Sequence, residues 1–478
     1  MHDDEIRRYL RERNPWWRAA ASGGDVTAWV RHDPTLNAAA VAGIEHHPDV
    51  LADVTAGGLW VVRGPRRVGK SVAAKRLVAG LCAGPEPRAA RVVYAAADGF
   101  RVQDLRRLFT IGRELAGAGP LYWIIDEVSS VVGWPAAIKE LRDNTPLAHD
   151  AVVLTGSSAG DLADARSALG PGRTGTAHPF RVLLPMTFRE YLRASKAGVP
   201  LPDQVTPDAL RSAAAASAIA ELAPFVDDLD LAWQQFNDIG GFPRAVADHV
   251  AHGDVSDAFT FDLLSWLAGD VEHDRPVESV LELLVELHRR TGSPLNQAQT
   301  AEALHISRDR FRVRCHRMVS TFAAHWCPQG DEHGAAVPGS QSKLYLIDPL
   351  LARLPTLRDP ALPAPDATRL TESSLARELA QATDRVHPDR FVEGRAIRYS
   401  RAGAGGEVDF APVPIAVAGV RSRTVAVESK WVSRQWRGEA LAVRRRFGGG
   451  VLATKDLVDI DDPEVWAVPA PMVALLLN

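Results

Sequence analysis

An apolar run, Leu59-Trp60-Val61-Val62-Arg63, passes directly into Gly64-Pro65-Arg66-Arg67-Val68-Gly69-Lys70-Ser71 and then into the helical run VAAKRLVAGL. A loop of the form G-x-x-x-x-G-K-[ST] between a strand and a helix is a phosphate cradle. Its glycines let backbone N–H groups wrap an anion without side-chain clash, and the following helix N-terminus favours negative charge. Lys70 is expected to reach the β- and γ-phosphates of a nucleotide, and the Ser71 hydroxyl to hold Mg²⁺.

The surrounding pattern fixes the fold class around that loop. RVVYAAA (91–97), LYWIIDE (121–127) and AVVLTGSS (151–158) are further apolar runs separated by helical segments. Such runs indicate a parallel sheet covered on both faces, an α/β fold. The third run ends in two acids. Asp126 is expected to hold Mg²⁺, and Glu127 to polarise an attacking water as general base. The fourth ends in Thr155-Gly156-Ser157-Ser158, where Ser157 lies beside the expected γ-phosphate and is placed to orient water.

With 478 residues there is room for roughly three domains at about 150 residues each. The 46% apolar and 24% charged composition excludes disorder as the dominant state. A net charge of −4 excludes a polycation that binds nucleic acid in bulk, so DNA contact needs a local patch. Three cysteines, Cys82, Cys315 and Cys327, exclude a disulfide scaffold and fit a reducing cytosol, which gives the expectation of a cytoplasmic protein. The start lacks an apolar core of signal-peptide length, and no run of about 18 apolar residues predicts a membrane span. Lysine is scarce: seven residues (Lys70, Lys75, Lys139, Lys196, Lys343, Lys430 and Lys455) stand against an arginine majority. A lysine kept in such a background points to a place where a compact ammonium is needed.

Asn14-Pro15-Trp16-Trp17, the phosphate loop, the IIDE strand, LTGSS, Pro171-Gly172-Arg173-Thr174-Gly175 and Leu184-Pro185-Met186-Thr187-Phe188-Arg189-Glu190-Tyr191 follow one another in an order that resembles prokaryotic AAA-superfamily ATPases of the archaeal-ATPase-like group. Asp238-Ile239-Gly240-Gly241-Phe242-Pro243 resembles the group's helical-region GG-x-P motif. Lys343-Leu344-Tyr345-Leu346-Ile347-Asp348-Pro349 resembles its stretch before the C-terminal domain. The resemblance implies ATP binding and hydrolysis, with Arg173 and Arg189 as arginine-finger or sensor residues; a homo-oligomer is a partner the sequence leaves open.

Residues 205–280 are Ala- and Leu-rich with helical spacing, and 281–350 read as three helices and a hairpin. In the third of these helices Phe311, Cys315, Met318 and Phe322 form one apolar stripe, Ser307 is placed as N-cap, and Arg308, Arg310, Arg312, Arg314 and Arg317 crowd the remaining faces. The expected module is a winged helix, with Arg308, Arg310, Arg314 and Arg317 meeting DNA phosphates and grooves. Cys315, His316, Cys327 and His333 lack zinc spacing, and Cys315 belongs to the stripe.

Near the C-terminus stand Gly406-Glu407-Val408-Asp409-Phe410 and Val425-Ala426-Val427-Glu428-Ser429-Lys430-Trp431. Strand alternation puts Glu428 and Lys430 on one face. Two carboxylates beside an ammonium have the chemistry to bind a divalent cation and activate water, and Glu372 on an upstream helix offers a third carboxylate. This part resembles the PD-(D/E)XK restriction-endonuclease-like fold, with Asp409, Glu428 and Lys430 at the motif positions and Glu407-Val408 where Pro is usual. The likeness implies Mg²⁺ or Mn²⁺ on Asp409 and Glu428, with Lys430 positioning the nucleophile.

The expected domains are an N-terminal helical extension (1–56), an AAA-type ATPase domain (57–204), a lid-like helical region (205–280), a winged helix (281–358), a Pro-rich linker (359–370) and a nuclease-like α/β domain (371–478). Together they imply a protein that couples ATP state to DNA binding and metal-dependent cleavage, in genome defence or mobile-element control. The competing expectation is a nucleotide-switched DNA-binding or signalling module whose nuclease-like domain does not cut.

Overall fold

Runs of β-branched and aromatic residues make five strands: β1 (Leu59–Arg63), β2 (Val92–Ala96), β3 (Tyr122–Asp126), β4 (Ala151–Gly156) and β5 (Phe180–Val182). They form one parallel sheet in the order β2-β3-β4-β1-β5. The computed structural model of the chain describes residues 1–84, 88–158, 162–170, 174–272, 276–401 and 406–478. These divide into two units, Met1–Leu184 and Pro185–Asn478.

In the first unit the β1, β3 and β4 positions are almost all buried, as continuous apolar runs require of a sheet covered on both faces. Helices Lys70–Ala83, Val102–Leu115 and Trp134–Asn144 connect the strands. Asp150, fully buried before β4, accepts hydrogen bonds from Leu121 N (2.9 Å), Trp123 Nε1 (2.7 Å) and Arg113.

The N-terminal segment solves a different problem. β2 is an edge strand, and an edge exposes a row of backbone N–H and C=O groups. Side chains from helices Asp3–Arg13 and Trp16–Ser22 cover that row. Tyr9 Oη donates to Ala96 O (2.7 Å) and accepts from Ala96 N (2.9 Å). Asn14, 1% exposed, accepts from Tyr94 N (2.7 Å) and donates to Tyr94 O (3.0 Å). The indoles of Trp16 and Trp17 both donate to Val92 O, at 3.0 and 2.8 Å. Positions 92, 94 and 96 are the alternate residues that face away from β3. The Asn-Pro-Trp-Trp motif therefore acts as a substitute strand built from side chains.

The second unit is mainly helical. Helices Ala213–Leu222, Val226–Ile239, Pro243–His252 and Asp257–Asp270 precede Val277–Arg289, Gln297–Ala303 and Arg308–Ser320. The antiparallel pair β6 (Ala324–Cys327) and β7 (Lys343–Leu346) follows. The helix Ala367–Val386 runs through the interior, with every residue from Leu370 to Ala380 buried. Its polar side chains find partners. Thr371 accepts from Trp233 Nε1 (3.1 Å), Ser374 donates to Asn237 (2.7 Å), and Arg377 pairs with Asp348 (3.3 Å) and Glu378 (2.7 Å). Asp348 also accepts from Gly241 N (2.8 Å) and Leu350 N (3.0 Å), while Met186 N donates to Gly241 O (2.7 Å). The motifs around 186, 241 and 348 thus form one hydrogen-bonded joint.

Short strands follow, β8 (Ser400–Arg401) with β9 (Glu407–Val408), β10 (Pro414–Val417) with β11 (Val420–Arg423), and the parallel set β12 (Val427–Ser429), β13 (Gly450–Thr454) and β14 (Val465–Pro469), before a buried last helix, Ala470–Leu477. The boundaries expected at 204/205, 280/281, 358/359 and 370/371 all fall inside this second unit. Residues 359–364 are an exposed connection.

Asn14→Ala orphans a buried N–H and a buried C=O of Tyr94, at roughly 1–3 kcal/mol for each group. Thermal unfolding should show a clear fall in Tm, and light scattering an aggregating edge. Val41→Ala, at an exposed helix position, should do neither.

Candidate nucleotide site and a carboxylate cluster

The phosphate loop leaves the end of β1 and closes against the N-terminus of helix Lys70–Ala83. A Cβ on Gly64 would lie 1.9 Å from Leu183 O, and Gly69 takes φ +94° as the residue before the helix. Only glycine meets both demands cheaply. Val68 is fully buried and anchors the loop, while Pro65 is buried and Arg66 and Arg67 are exposed. No side chain caps the helix, so its first-turn N–H groups are available to an anion. Ser71 stands half-buried in that first turn.

Lys70, 7% exposed, donates from Nζ to Gly64 O (2.9 Å) and Pro65 O (2.7 Å). Burial lowers its pKa to about 8, against the opposing pull of Glu127 and Asp126. Asp126 ends β3, with its carboxylate accepting from Tyr94 Oη (3.2 Å) and from the Thr155 hydroxyl. Glu127 follows in a left-handed conformation, φ +54°. Its N–H donates to Thr155 Oγ1 (3.0 Å). Its Oε1 accepts from Ser157 Oγ (2.6 Å), Ser157 N (3.1 Å) and Ser129 Oγ (2.8 Å). Burial alone would raise the Glu127 pKa, but the Ser157 hydrogen bond, Lys70 and Ser129 together hold it below the ordinary range. Asp98, just after β2, is raised by burial and by the Glu127 and Asp126 charges.

Lys70, Asp126, Glu127 and Ser157 therefore gather at the C-terminal ends of β1, β3 and β4. The donor set fits Mg²⁺ and a nucleotide: free helix N–H groups and an ammonium for phosphate, and a hydroxyl and a carboxylate for the ion. Thr155, which bridges Asp126 and Glu127, and Ser129 were not singled out from sequence. Thr155 had a signal, as a hydroxyl on the strand next to the acidic one; Ser129 had none.

One expected arginine is placed elsewhere. Arg189 is 7% exposed and donates to Asn478 O (2.5 Å), Pro202 O (2.6 Å) and Leu475 O (2.7 Å). It ties backbone together inside the second unit and is not a finger or sensor as it stands. The helix it belongs to begins with a Thr187/Glu190 capping box, which is the local reason for the Thr-Phe-Arg-Glu sequence. Arg173 lies outside the described residues.

Helix Arg308–Ser320 has Ser307 as N-cap and buries Phe311, Cys315 and Met318. Arg314 corrects the expected DNA-facing set. It is 4% exposed and pairs with Glu272 (2.8 Å) and Ser279 Oγ (2.8 Å). Positions 311, 314, 315 and 318 follow the i, i+3, i+4, i+7 spacing, so Arg314 lies on the buried face. Arg317 donates to Val271 O (3.2 Å). Arg308 and Arg312 are exposed and Arg310 half-exposed; Arg312 has only a surface pair with Asp309 (3.2 Å).

In the C-terminal part the structure brings Glu372, Asp409, Glu428 and Lys430 together. Asp409 follows β9, and Phe410 bridges to Val427, which sets Asp409 beside β12. Asp409 N donates to Glu428 Oε2 (3.0 Å), Ser429 N donates to Asp409 Oδ2 (3.1 Å), and Lys430 Nζ lies 2.9 Å from Glu428 Oε1. A residue outside the expected set sits in the middle. Lys343, at the start of β7, is fully buried, with Nζ 2.7 Å from Asp409, 2.8 Å from Glu407 and 3.2 Å from Glu372. Tyr345 Oη donates to the same Glu372 oxygen (2.6 Å). Burial pushes Lys343 down, but Asp409, Glu372 and Glu407 hold it well above its ordinary value. Burial and then the Asp409 charge raise Glu372 to about 7 and Glu428 to about 8. Of the expected metal set, Glu372 and Asp409 are thus paired with the Lys343 ammonium and Glu428 with that of Lys430. Among the described residues no group of three or more His, Cys, Asp or Glu side chains is arranged to hold a metal ion.

Residues 57–192 match the family model described as AAA domain. The match spans the sheet, the phosphate loop and the acidic strand, and it supports an ATPase of the AAA superfamily. No curated protein matches the chain. Among solved structures the chain is similar to the Aeropyrum pernix ORC2 protein in its ADPNP–ADP complexes, at 12% identity over 68% of this chain and 93% of that one, with a TM-score of 0.30. A likeness that loose carries no argument. No helix among the described residues is long and apolar enough to cross a membrane.

The AAA domain gives two outcomes to measure. Lys70→Ala removes a charge-assisted contact worth roughly 1.5–3 kcal/mol, so nucleotide affinity should fall about tenfold or more. In the wild type the ammonium is lost above about pH 8. Affinity by fluorescent-nucleotide titration should therefore hold below that pH and weaken above it, by up to about tenfold per pH unit.

Proposed function

We propose that the chain hydrolyses ATP at its AAA domain and couples nucleotide state to DNA binding by the second unit. The observation that carries the first half is the convergence of Lys70, Asp126, Glu127 and Ser157 on the loop that ends β1. Lys70 and the loop N–H groups bind the β- and γ-phosphates, and Ser71 and Asp126 hold Mg²⁺, which supplies neutralisation of phosphate charge when bound. Glu127 accepts the proton of the water that attacks the γ-phosphorus, as the bond from that phosphorus to the ADP oxygen breaks. Ser157 orients the carboxylate for that transfer. Glu127→Gln should keep nucleotide binding and stop phosphate release; equal rates in the two proteins would remove the assignment.

The second half draws on the charge left exposed on helix Arg308–Ser320, where Arg308, Arg310 and Arg312 remain after Arg314 and Arg317 turn inward. An overall charge of −4 makes a local basic helix the feature available for phosphate contact. This helix and the β6–β7 pair are read as a winged helix. Replacing Arg308, Arg310 and Arg312 together by Ala should weaken DNA binding and reduce the log–log salt slope by up to about 3. Arg314→Ala should lower Tm and leave the slope alone. Fluorescence anisotropy over a salt series, with and without ATP, measures both; an unchanged slope in the triple variant assigns the helix to packing.

A second reading, DNA cleavage by a PD-(D/E)XK-like site, has specific support in the hydrogen-bonded grouping of Asp409, Glu428 and Lys430. The position of Lys343 speaks against a divalent ion there, so no metal-dependent step is drawn through it. We therefore favour binding over cutting for the C-terminal part. Genome defence or mobile-element control is the setting such a combination suits, and incubating supercoiled DNA with the protein, ATP and Mn²⁺ separates the two readings.

A further inference from the structure

We propose that Lys343 is the resident cation of the C-terminal carboxylate cluster, taking the place of a divalent metal and excluding one from the site. The proposal rests on the nuclease-like reading of Asp409, Glu428 and Lys430, since only that reading makes a metal the natural occupant.

The geometry is that of a filled site. An ammonium has three donors, and Lys343 has three carboxylates within reach, from Asp409, Glu407 and Glu372. Its Nζ stands 2.7–3.2 Å from their oxygens, whereas Mg²⁺ needs ligand oxygens at about 2.0–2.1 Å. A metal would have to expel the ammonium and draw the carboxylates inward.

Both movements are obstructed. Lys343 has no exposed surface, and its charge lies 5.5 Å from the centre of the Tyr399 ring. Glu372 is held by Tyr345, and its Oε2 would lie 2.5 Å from a Cβ on Gly292, whose absence lets the carboxylate fit against the backbone. Asp409 Oδ2 and both Glu428 oxygens already accept from Ser429, Asp409 and Lys430. The pair of ammoniums, one buried and one half-exposed, therefore saturates the acids that a metal would use. Because Lys343 begins β7, the cation is tethered to the β6–β7 pair, and the site stays closed for as long as that pair keeps its place.

Manganese binding to the nucleotide-free full chain, followed by the loss of free Mn²⁺ signal in electron paramagnetic resonance, tests this. Wild type should show no Mn²⁺ binding that Asp409→Asn removes. Lys343→Met should gain one bound Mn²⁺ per chain, at least tenfold tighter than any in wild type, and Asp409→Asn should abolish the gain. If the single change does not fold, Lys343→Met with Glu407→Gln keeps the charge balanced and leaves Glu372, Asp409 and Glu428 for the same measurement. Asp409-dependent binding by wild type overturns the proposal and leaves the nuclease-like reading standing. No gain in either Lys343 variant overturns both.

Discussion

In the second unit one buried charge, that of Lys343, ties the β6–β7 pair to the central helix and the C-terminal strands. A lysine with no solvent contact is tolerable only if its ammonium is paired, because an isolated charge in a low-dielectric interior costs far more than a fold can spare. Lys343 answers that demand with carboxylates from two places distant in sequence, Glu372 on the central helix and Glu407 and Asp409 in and just after β9. Those carboxylates face the same constraint in reverse and need the lysine. The hairpin strand, the central helix and the small parallel sheet therefore depend on a single point. Removing one partner of a buried pair typically costs about 3–5 kcal/mol, so the cluster also fixes how the C-terminal strands dock.

The first unit meets the cost of burying polar groups by another route. Its polar problem is a row of backbone groups on β2, and the answer is neutral hydrogen bonding from Tyr9, Asn14, Trp16 and Trp17. At the C-terminal ends of the strands the same unit leaves helix N–H groups without a capping side chain, beside a lysine whose charge burial disfavours. One edge is closed by side chains, and one end is kept ready for an anion. That contrast places the reactive chemistry at the loop.

Much of this was legible in the sequence because it follows from local periodicity. The apolar runs at 59–63 and 122–126 became β1 and β3, and the loop between strand and helix defined itself by its glycines and Lys70. What local patterns miss is where a polar side chain finds a distant partner. Arg189 reads as a free cation until three carbonyls at 202, 475 and 478 are seen around it. Arg314 was legible in principle, since its spacing from Phe311 and Met318 puts it on the buried stripe; counting charge on a helix without its phase hid that. Local patterns likewise do not register that Thr371, Ser374 and Arg377 bond across to residues as far back as Trp233.

Lysine scarcity is a global signal that points to the same carboxylate cluster as the motifs and adds Lys343 to it. Of the seven lysines, Lys70 reaches into the phosphate loop, Lys343 and Lys430 serve the carboxylate cluster, and Lys75 is paired with Asp33 at 2.8 Å. In a chain that otherwise uses arginine, these are the positions where shape decides. A guanidinium presents its donors in one plane and suits a carboxylate met edge-on. Lys343 must instead satisfy three carboxylates converging on one small point, which an ammonium does with three donors spread about a single nitrogen. A metal ion concentrates positive charge at a point in the same way, and that shared geometry is why a lysine is able to stand where an ion otherwise would.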